Sequence, residues 1–278
     1  MNQTVSEITI NLQKNFYDTL YFCGFNGQLK GNLGIPFNCH SIPSDLIVIT
    51  KDVIGFNSIL PELPDNLEIC GSLYLNNSKF TKLPKNLKVG GDVSLMNTDI
   101  TALPDDLRVY NTLNISGSKI KKLPNGLIVR GKLDLSQTQI TEIPSDVQIL
   151  GDLDLRKTII NKLPTNFNVG GNLFVDNRSI LEELPDGLFI GGNMFITDSK
   201  INKLPSRLVV KGDLDASGTN IKEIPDDIEV SGRLVLDHTL VYELPPNIKV
   251  GVNVVARNTP LSNNRYKKPK GVKGRIYV

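Results

Sequence analysis

The stretch Leu83-Pro84-Lys85-Asn86-Leu87-Lys88-Val89-Gly90-Gly91-Asp92-Val93-Ser94-Leu95-Met96-Asn97-Thr98-Asp99-Ile100 decides the fold. Its apolar residues alternate at Leu87/Val89 and again at Val93/Leu95, and a period of two belongs to a strand, not a helix. Proline fixes φ and has no backbone donor, so Leu83-Pro84 marks a corner. Glycine between the two apolar pairs marks a second corner, where a positive φ is expected. Two short strands separated by corners make one coil of a solenoid.

The unit recurs along the chain. An Ile-Pro or Leu-Pro pair places proline at 43, 64, 84, 104, 124, 144, 164, 185, 205, 225 and 245, with eight spacings of 20 residues and two of 21. The longer units carry similar strings before the next proline, Ser58-Ile59-Leu60-Pro61-Glu62-Leu63 and Ser179-Ile180-Leu181-Glu182-Glu183-Leu184, which read as a one-residue loop bulge. The corner glycine returns as Gly71, Gly91, Gly131, Gly151, Gly171, Gly192, Gly212 and Gly232, with Asn111 in its place once. A hydroxyl stands three residues beyond the second apolar pair at Ser78, Thr98, Ser118, Thr138, Thr158, Ser199, Thr219, Thr239 and Thr259. Stacked coils would let these hydroxyls bond backbone groups of neighbouring coils. Period and pattern give a β-rich repeat solenoid with two short strands per coil. Three segments follow: an N-terminal cap over 1–41, eleven repeats over 42–261, and a basic tail over 262–278. Apolar positions from Val5 to Phe25 suit a helix, or a helix and a strand, covering the first coil.

The second strand and its turn, Leu133-Asp134-Leu135-Ser136-Gln137-Thr138-Gln139-Ile140-Thr141-Glu142-Ile143-Pro144, resemble the leucine-rich repeat LxLxxNxLxxLP with threonine in the asparagine slot. The 20-residue length and Leu-Pro corner are similar to the short bacterial class found in secreted effectors. The unit LPxxLxVxGxLxLxxTxI looks still more like repeat proteins of tailed bacteriophages and bacteria. The likeness runs from about Ile42 to Leu261 and speaks to architecture. It implies a phage-encoded inhibitor or adaptor that binds a protein of the bacterial host, such as a defence protein, in the host cytoplasm. A virion structural or decoration protein is one alternative. Effector relatives with ubiquitin-ligase activity carry a catalytic domain after the repeats, whereas 17 residues follow Leu261 here.

Composition is globular, with 40% hydrophobic residues, 22% charged residues and a net charge of +2 that favours neither nucleic acid nor a membrane surface. Three cysteines, Cys23, Cys39 and Cys70, fit no closed disulfide set and read as free thiols in a reducing compartment. No signal peptide and no apolar run of membrane-spanning length is seen. Cys39-His40 and Cys23 match no zinc spacing, and no cofactor or metal is expected. Carboxylate pairs Asp105-Asp106 and Asp226-Asp227 sit beside proline corners and read as turn residues, so no nucleophile, base or metal set is found and no enzyme is expected.

Residues between the inward ones of the second strand point out, in the row Val53, Tyr74, Ser94, Asn114, Asp134, Asp154, Phe174, Phe195, Asp215, Val235, Val255. The central aspartates read as solvated. Outward Phe174, Phe195, Val235 and Val255 do not, because exposed apolar clusters mark interfaces and aromatic residues dominate them. Phe174 and Phe195, flanked by Asp154, Arg156, Asp176 and Arg233, form the expected partner-binding centre, with cover by the tail or by another subunit as the structural alternative. The tail holds Arg265, Lys267, Lys268, Lys270, Lys273 and Arg275 without an acid, so the residues before it carry −4. It reads as a solvated segment, as a capping strand ending in Ile276-Tyr277-Val278, or as a contact for an acidic partner or nucleic-acid phosphate.

Overall fold

Two-residue strands hold in this chain because each is one rung of a ladder that the next coil continues. The computed structural model describes residues 28–29, 33–35, 48–49, 51–59, 62–263 and 267–278. The expected helix before residue 26, Pro43, Cys23, Cys39, His40 and Arg265 lie outside them. The chain divides into two units, Met1–Gly131 and Lys132–Val278, both built from the same coil.

In the second unit, the first strands of successive coils pair in parallel, so Ile149, Val169, Ile190, Val210, Val230 and Val250 stand in line. The second strands do the same, aligning Leu133, Leu153, Leu173, Met194, Leu214, Leu234, Val254 and Ile276. The first unit repeats the scheme from Gln28–Leu29, which pairs with Val48–Ile49, and from Leu33–Gly34, which pairs with Val53–Ile54. Both strands at Gln28–Gly34 lie within the 1–41 segment. The protein is a parallel β-solenoid, leucine-rich-repeat-like, with two strands per coil. One 3-10 turn, Pro260–Asn263, is the sole helical element among the described residues.

The core is a stack of aliphatic layers. In the coil quoted above, Leu87, Val89, Val93, Leu95 and Ile100 are at most 1% exposed. Fully burying one such side chain contributes roughly 1.5–3 kcal/mol. The coil therefore folds on neighbours above and below, not on itself.

The corners work differently from the sequence expectation. Positive φ is found at Gly117, Gly126, Gly187 and Gly218, and at none of the expected corner glycines. Those glycines are needed for close approach instead: a Cβ at Gly171 would meet the Gly151 backbone and the Asp152 carboxylate, and one at Gly212 the Gly192 backbone. The left-handed positions fall in two other turns. One precedes the hydroxyl residue, as at Asn77, Asn97, Gln137 and His238; the other lies two residues after the proline, as at Asn66, Asn86 and Asn166. Asparagine and glycine recur there because they tolerate that conformation best.

The hydroxyls also differ. Thr98, Thr138, Thr158, Thr219, Thr239 and Thr259 donate to the carbonyl three residues earlier in their own coil, at 2.6–2.8 Å. Ser179 instead reaches back a coil, to the Leu155 carbonyl at 2.6 Å. Ser78, Ser118 and Ser199 are buried and their hydroxyls have no hydrogen-bond partner.

Side chains at the second corner tie the coils together. Asp92 N–H donates to Ser72 Oγ and Thr112 N–H to the Asp92 carboxylate, both at 3.0 Å. In the second unit Asn172, Asn193, Asp213 and Arg233 each donate a backbone N–H to the side chain one coil earlier, at 2.6–2.7 Å. These amides face a corner where no backbone carbonyl is available, so the side chain supplies the acceptor.

The extra residues of the two long units also sit elsewhere than the quoted strings. Val48 pairs with Glu68 and Ile54 with Tyr74, so the first lies before Val48. Phe174 pairs with Phe195 while Ser179 occupies the hydroxyl position, so the second lies in the turn Asp176-Asn177-Arg178. The tail returns as a strand: Ile276–Tyr277 pairs with Val254–Val255, and Val272 bridges Val250.

Asn193→Ala is expected to lower the unfolding free energy by ~1–2 kcal/mol by orphaning the Asp213 amide. Asn193→Ser, which keeps an acceptor as Ser72 does, should lose less than half as much. Urea titration of the three proteins checks this.

Candidate protein-docking site

Alternation along a strand dictates which side chains leave the core, and parallel pairing decides which of them meet. The outward row of the second unit is Asp134, Asp154, Phe174, Phe195, Asp215, Val235 and Val255, extended by Tyr277. In the first unit the row runs through Gly34, Ile54 and Tyr74, and not through Val53. Val53 pairs with Leu73 and is wholly buried, because the extra residue of that unit precedes the strand.

Phe174 and Phe195 are stacked, with centroids 5.3 Å apart and rings inclined by 14°. Strand pairing brings the two rings side by side at a separation suited to stacking. Both are half-buried. On the other side of Phe174, the Arg156 guanidinium lies 5.7 Å and the Lys132 ammonium 6.0 Å from its centroid, within cation–π range.

Asp134 and Asp154 are not solvated. Asp134 is 7% exposed and Asp154 is fully buried. Arg156 grips Asp154 with Nη2 at 2.6 Å and Nε at 2.9 Å, and Lys132 Nζ adds a third bond at 3.0 Å while reaching Asp134 at 2.9 Å. A carboxylate on an outer face is thus sealed by the cations it attracts. Burial alone would raise the Asp154 pKa, and the bonds from Arg156 and Lys132 outweigh it, so the carboxyl is held below its ordinary value. Burial pulls the Lys132 ammonium down, and its bonds to Asp134 and Asp154 lift it above the ordinary lysine value.

The flanking residues divide. Arg156 and Asp154 belong to the aromatic cluster. Asp176 is spent on two turns, accepting from the amide of Lys157 in the coil before at 2.9 Å and from that of Arg178 in its own at 3.2 Å. Arg233 is two strands from Phe195, donates from Nη2 and Nε to Asp213 Oδ2 at 2.8 and 3.1 Å, and belongs beside Val235. Lys132 escaped the sequence reading. Its signal was its place immediately before Leu133, the corner column that also holds Arg233. A second aromatic pair was missed in the first unit, where Phe56 and Tyr74 lie 6.2 Å apart and Phe56 is 47% exposed.

Among the described residues no group of three or more His, Cys, Asp or Glu could hold a metal ion, and no helix is long and apolar enough to cross a membrane. Cys70 is exposed and free. The carboxylate pairs Asp105-Asp106 and Asp226-Asp227 are exposed beside their prolines.

The sealed carboxylate has a pH signature. A depressed folded pKa contributes stability that is full above the ordinary aspartate value of about 3.9 and is lost as pH falls through the lower folded value. Asp154→Asn is expected to cost ~1–2 kcal/mol at neutral pH, less than a wholly buried pair because Lys132 and Arg156 reach water. The gap from the native protein should close toward acid, as read by denaturant titration at several pH values.

No family model matches the chain, and no curated protein matches it. Among solved structures the chain is similar to YopM from Yersinia enterocolitica WA-314, at 17% identity and a TM-score of 0.40. The likeness covers 87% of this chain and 66% of that one, so the chain spans just under two thirds of that structure's length.

Proposed function

We propose that the chain is a non-enzymatic protein-binding scaffold whose principal contact is the outer face of the second-strand sheet in the second unit. The observation that carries this reading is the stack of Arg156, Phe174 and Phe195 on a sealed carboxylate. Rigid aromatic and arginine side chains are the groups that dominate protein interfaces. Here they are fixed before a partner arrives: Asp154 holds the guanidinium, the guanidinium covers one ring, and that ring packs on the next. Little side-chain entropy is left to lose on association. Val235 and Val255 prolong the apolar row beyond Asp215.

The concrete version is a phage-encoded inhibitor or adaptor acting in the host cytoplasm on a bacterial protein such as a defence component. The repeat pattern LPxxLxVxGxLxLxxTxI supports the phage origin, and the pre-formed face supports the capture of one folded protein.

Affinity capture from bacterial lysate with the native protein and with the Phe174→Ser, Phe195→Ser double variant tests this. One host protein should be retained by the first and reduced at least ~10-fold on the second, about 1.4 kcal/mol of binding. Both proteins should melt within a few degrees of each other, as the rings are outside the core. The same proteins retained equally by both would overturn the reading.

A further inference from the structure

The last coils of the second unit combine an outward apolar stripe with exposed cations. Val235, Val255 and Tyr277 stand in register as an outward apolar stripe. Val252, Tyr277 and Val278, 38–43% exposed, add apolar surface on the same two coils. The same two coils carry Arg257, Lys267, Lys268, Lys270, Lys273 and Arg275, all exposed and without an ion-pair partner among the described residues, the lysines on the stretch that leads through Val272, beside Val250 of the first-strand sheet, to the stripe. Elsewhere on this face the cations are spent: Lys132 and Arg156 on Asp154, Arg233 on Asp213.

We propose that this end of the unit is a docking surface for an acidic protein segment carrying apolar side chains. Arg257 lies two residues beyond Val255, and Arg275 two residues before Tyr277, so alternation brings both guanidinium groups to the face that carries the stripe. An extended segment laid along the stripe would place apolar side chains on the valines and carboxylates against the arginines. Its charge opposes the two arginines, which fix register, and the exposed lysines of the same coils add to the field that steers encounter. Nucleic acid fits less well. Single strands need aromatic platforms for successive bases, and the stripe offers two valines and one tyrosine. The backbone here is ordered as well: Arg275 N–H donates to Asn253 Oδ1 at 2.8 Å, and the Val254 and Ala256 amides donate to the carbonyls of Arg275 and Tyr277 at 2.9 and 2.7 Å.

The inference rests on the protein-binding reading but not on the phenylalanine pair. Fluorescence anisotropy of the full chain with a labelled ~10-residue peptide alternating glutamate and leucine tests it directly, beside a lysine–leucine peptide and an oligonucleotide of matching charge. The acidic peptide should bind, the basic one should not, and the oligonucleotide should bind more weakly than the acidic peptide. Arg257→Glu with Arg275→Glu should weaken the acidic peptide at least ~10-fold, and Val255→Ser with Tyr277→Ser should weaken it by a similar factor. These side chains are outside the core, and thermal melting confirms that each variant is folded. The Phe174→Ser, Phe195→Ser variant should bind the peptide unchanged, so loss of host-protein capture there and loss of peptide binding here are separate failures. Absence of peptide binding, equal binding by the arginine variant, or tighter binding of the oligonucleotide overturns the proposal, the last in favour of phosphate recognition.

Discussion

The structure depends on how closely one coil can be laid on the next at the second corner. There the chain turns between its two sheets and the regular carbonyl acceptor is lost, leaving an amide that must still be bonded. A side chain from the coil before fills the gap: Asp152 for Asn172, Asn172 for Asn193, Asn193 for Asp213 and Asp213 for Arg233. The contact requires near-touching backbones, and the neighbouring glycines allow it because a Cβ at Gly171, Gly192 or Gly212 would collide with the coil below. Corner chemistry thus sets the spacing, spacing aligns the two-residue strands, and alignment stacks the aliphatic core.

The same spacing determines what the outer face can hold. Side chains in one row are a strand apart, which is the distance at which flat groups stack. Arg156, Phe174 and Phe195 answer to that constraint, and Asp154 beneath them is the anchor that makes their order rigid. Further along, in the same register, aliphatic side chains and unpaired arginines give a surface of different chemistry. One face therefore carries two kinds of surface without any change in backbone.

Much of the fold was legible because the coil is short and strictly periodic. Alternation at Leu87/Val89 and Val93/Leu95 identified the strands, and proline spacing identified the coil. What was misread turned on geometry that residue type does not report. Glycine at 91 signals either positive φ or close approach, and only the placement of the neighbouring coil separates the two. Threonine at 98 signals a buried hydroxyl, yet which carbonyl it meets depends on the turn. Val53 was assigned outward because an extra residue earlier in its unit shifted the count by one, enough to reverse faces on a strand. The site was half legible. Phe174 and Phe195 stood out as aromatic residues at outward positions, whereas Asp154 looked solvated because its sealing cations come from different rows, one of them two residues on and the other a coil earlier.

The turn Asp176-Asn177-Arg178 shows where such a chain accepts change. It takes up one additional residue between the strand ending at Phe174 and the hydroxyl position Ser179, and the strands on both sides keep their partners. Insertion within a strand would instead exchange core and surface for every residue that followed in the coil. A duplicated or deleted whole coil would disturb neither, since each coil offers the next the same rungs and acceptors. Gene-level lengthening or shortening in multiples of the repeat would leave the architecture untouched while moving one outer patch nearer to or farther from another. The chain's evolvable variable is the distance between outer-face patches, counted in coils.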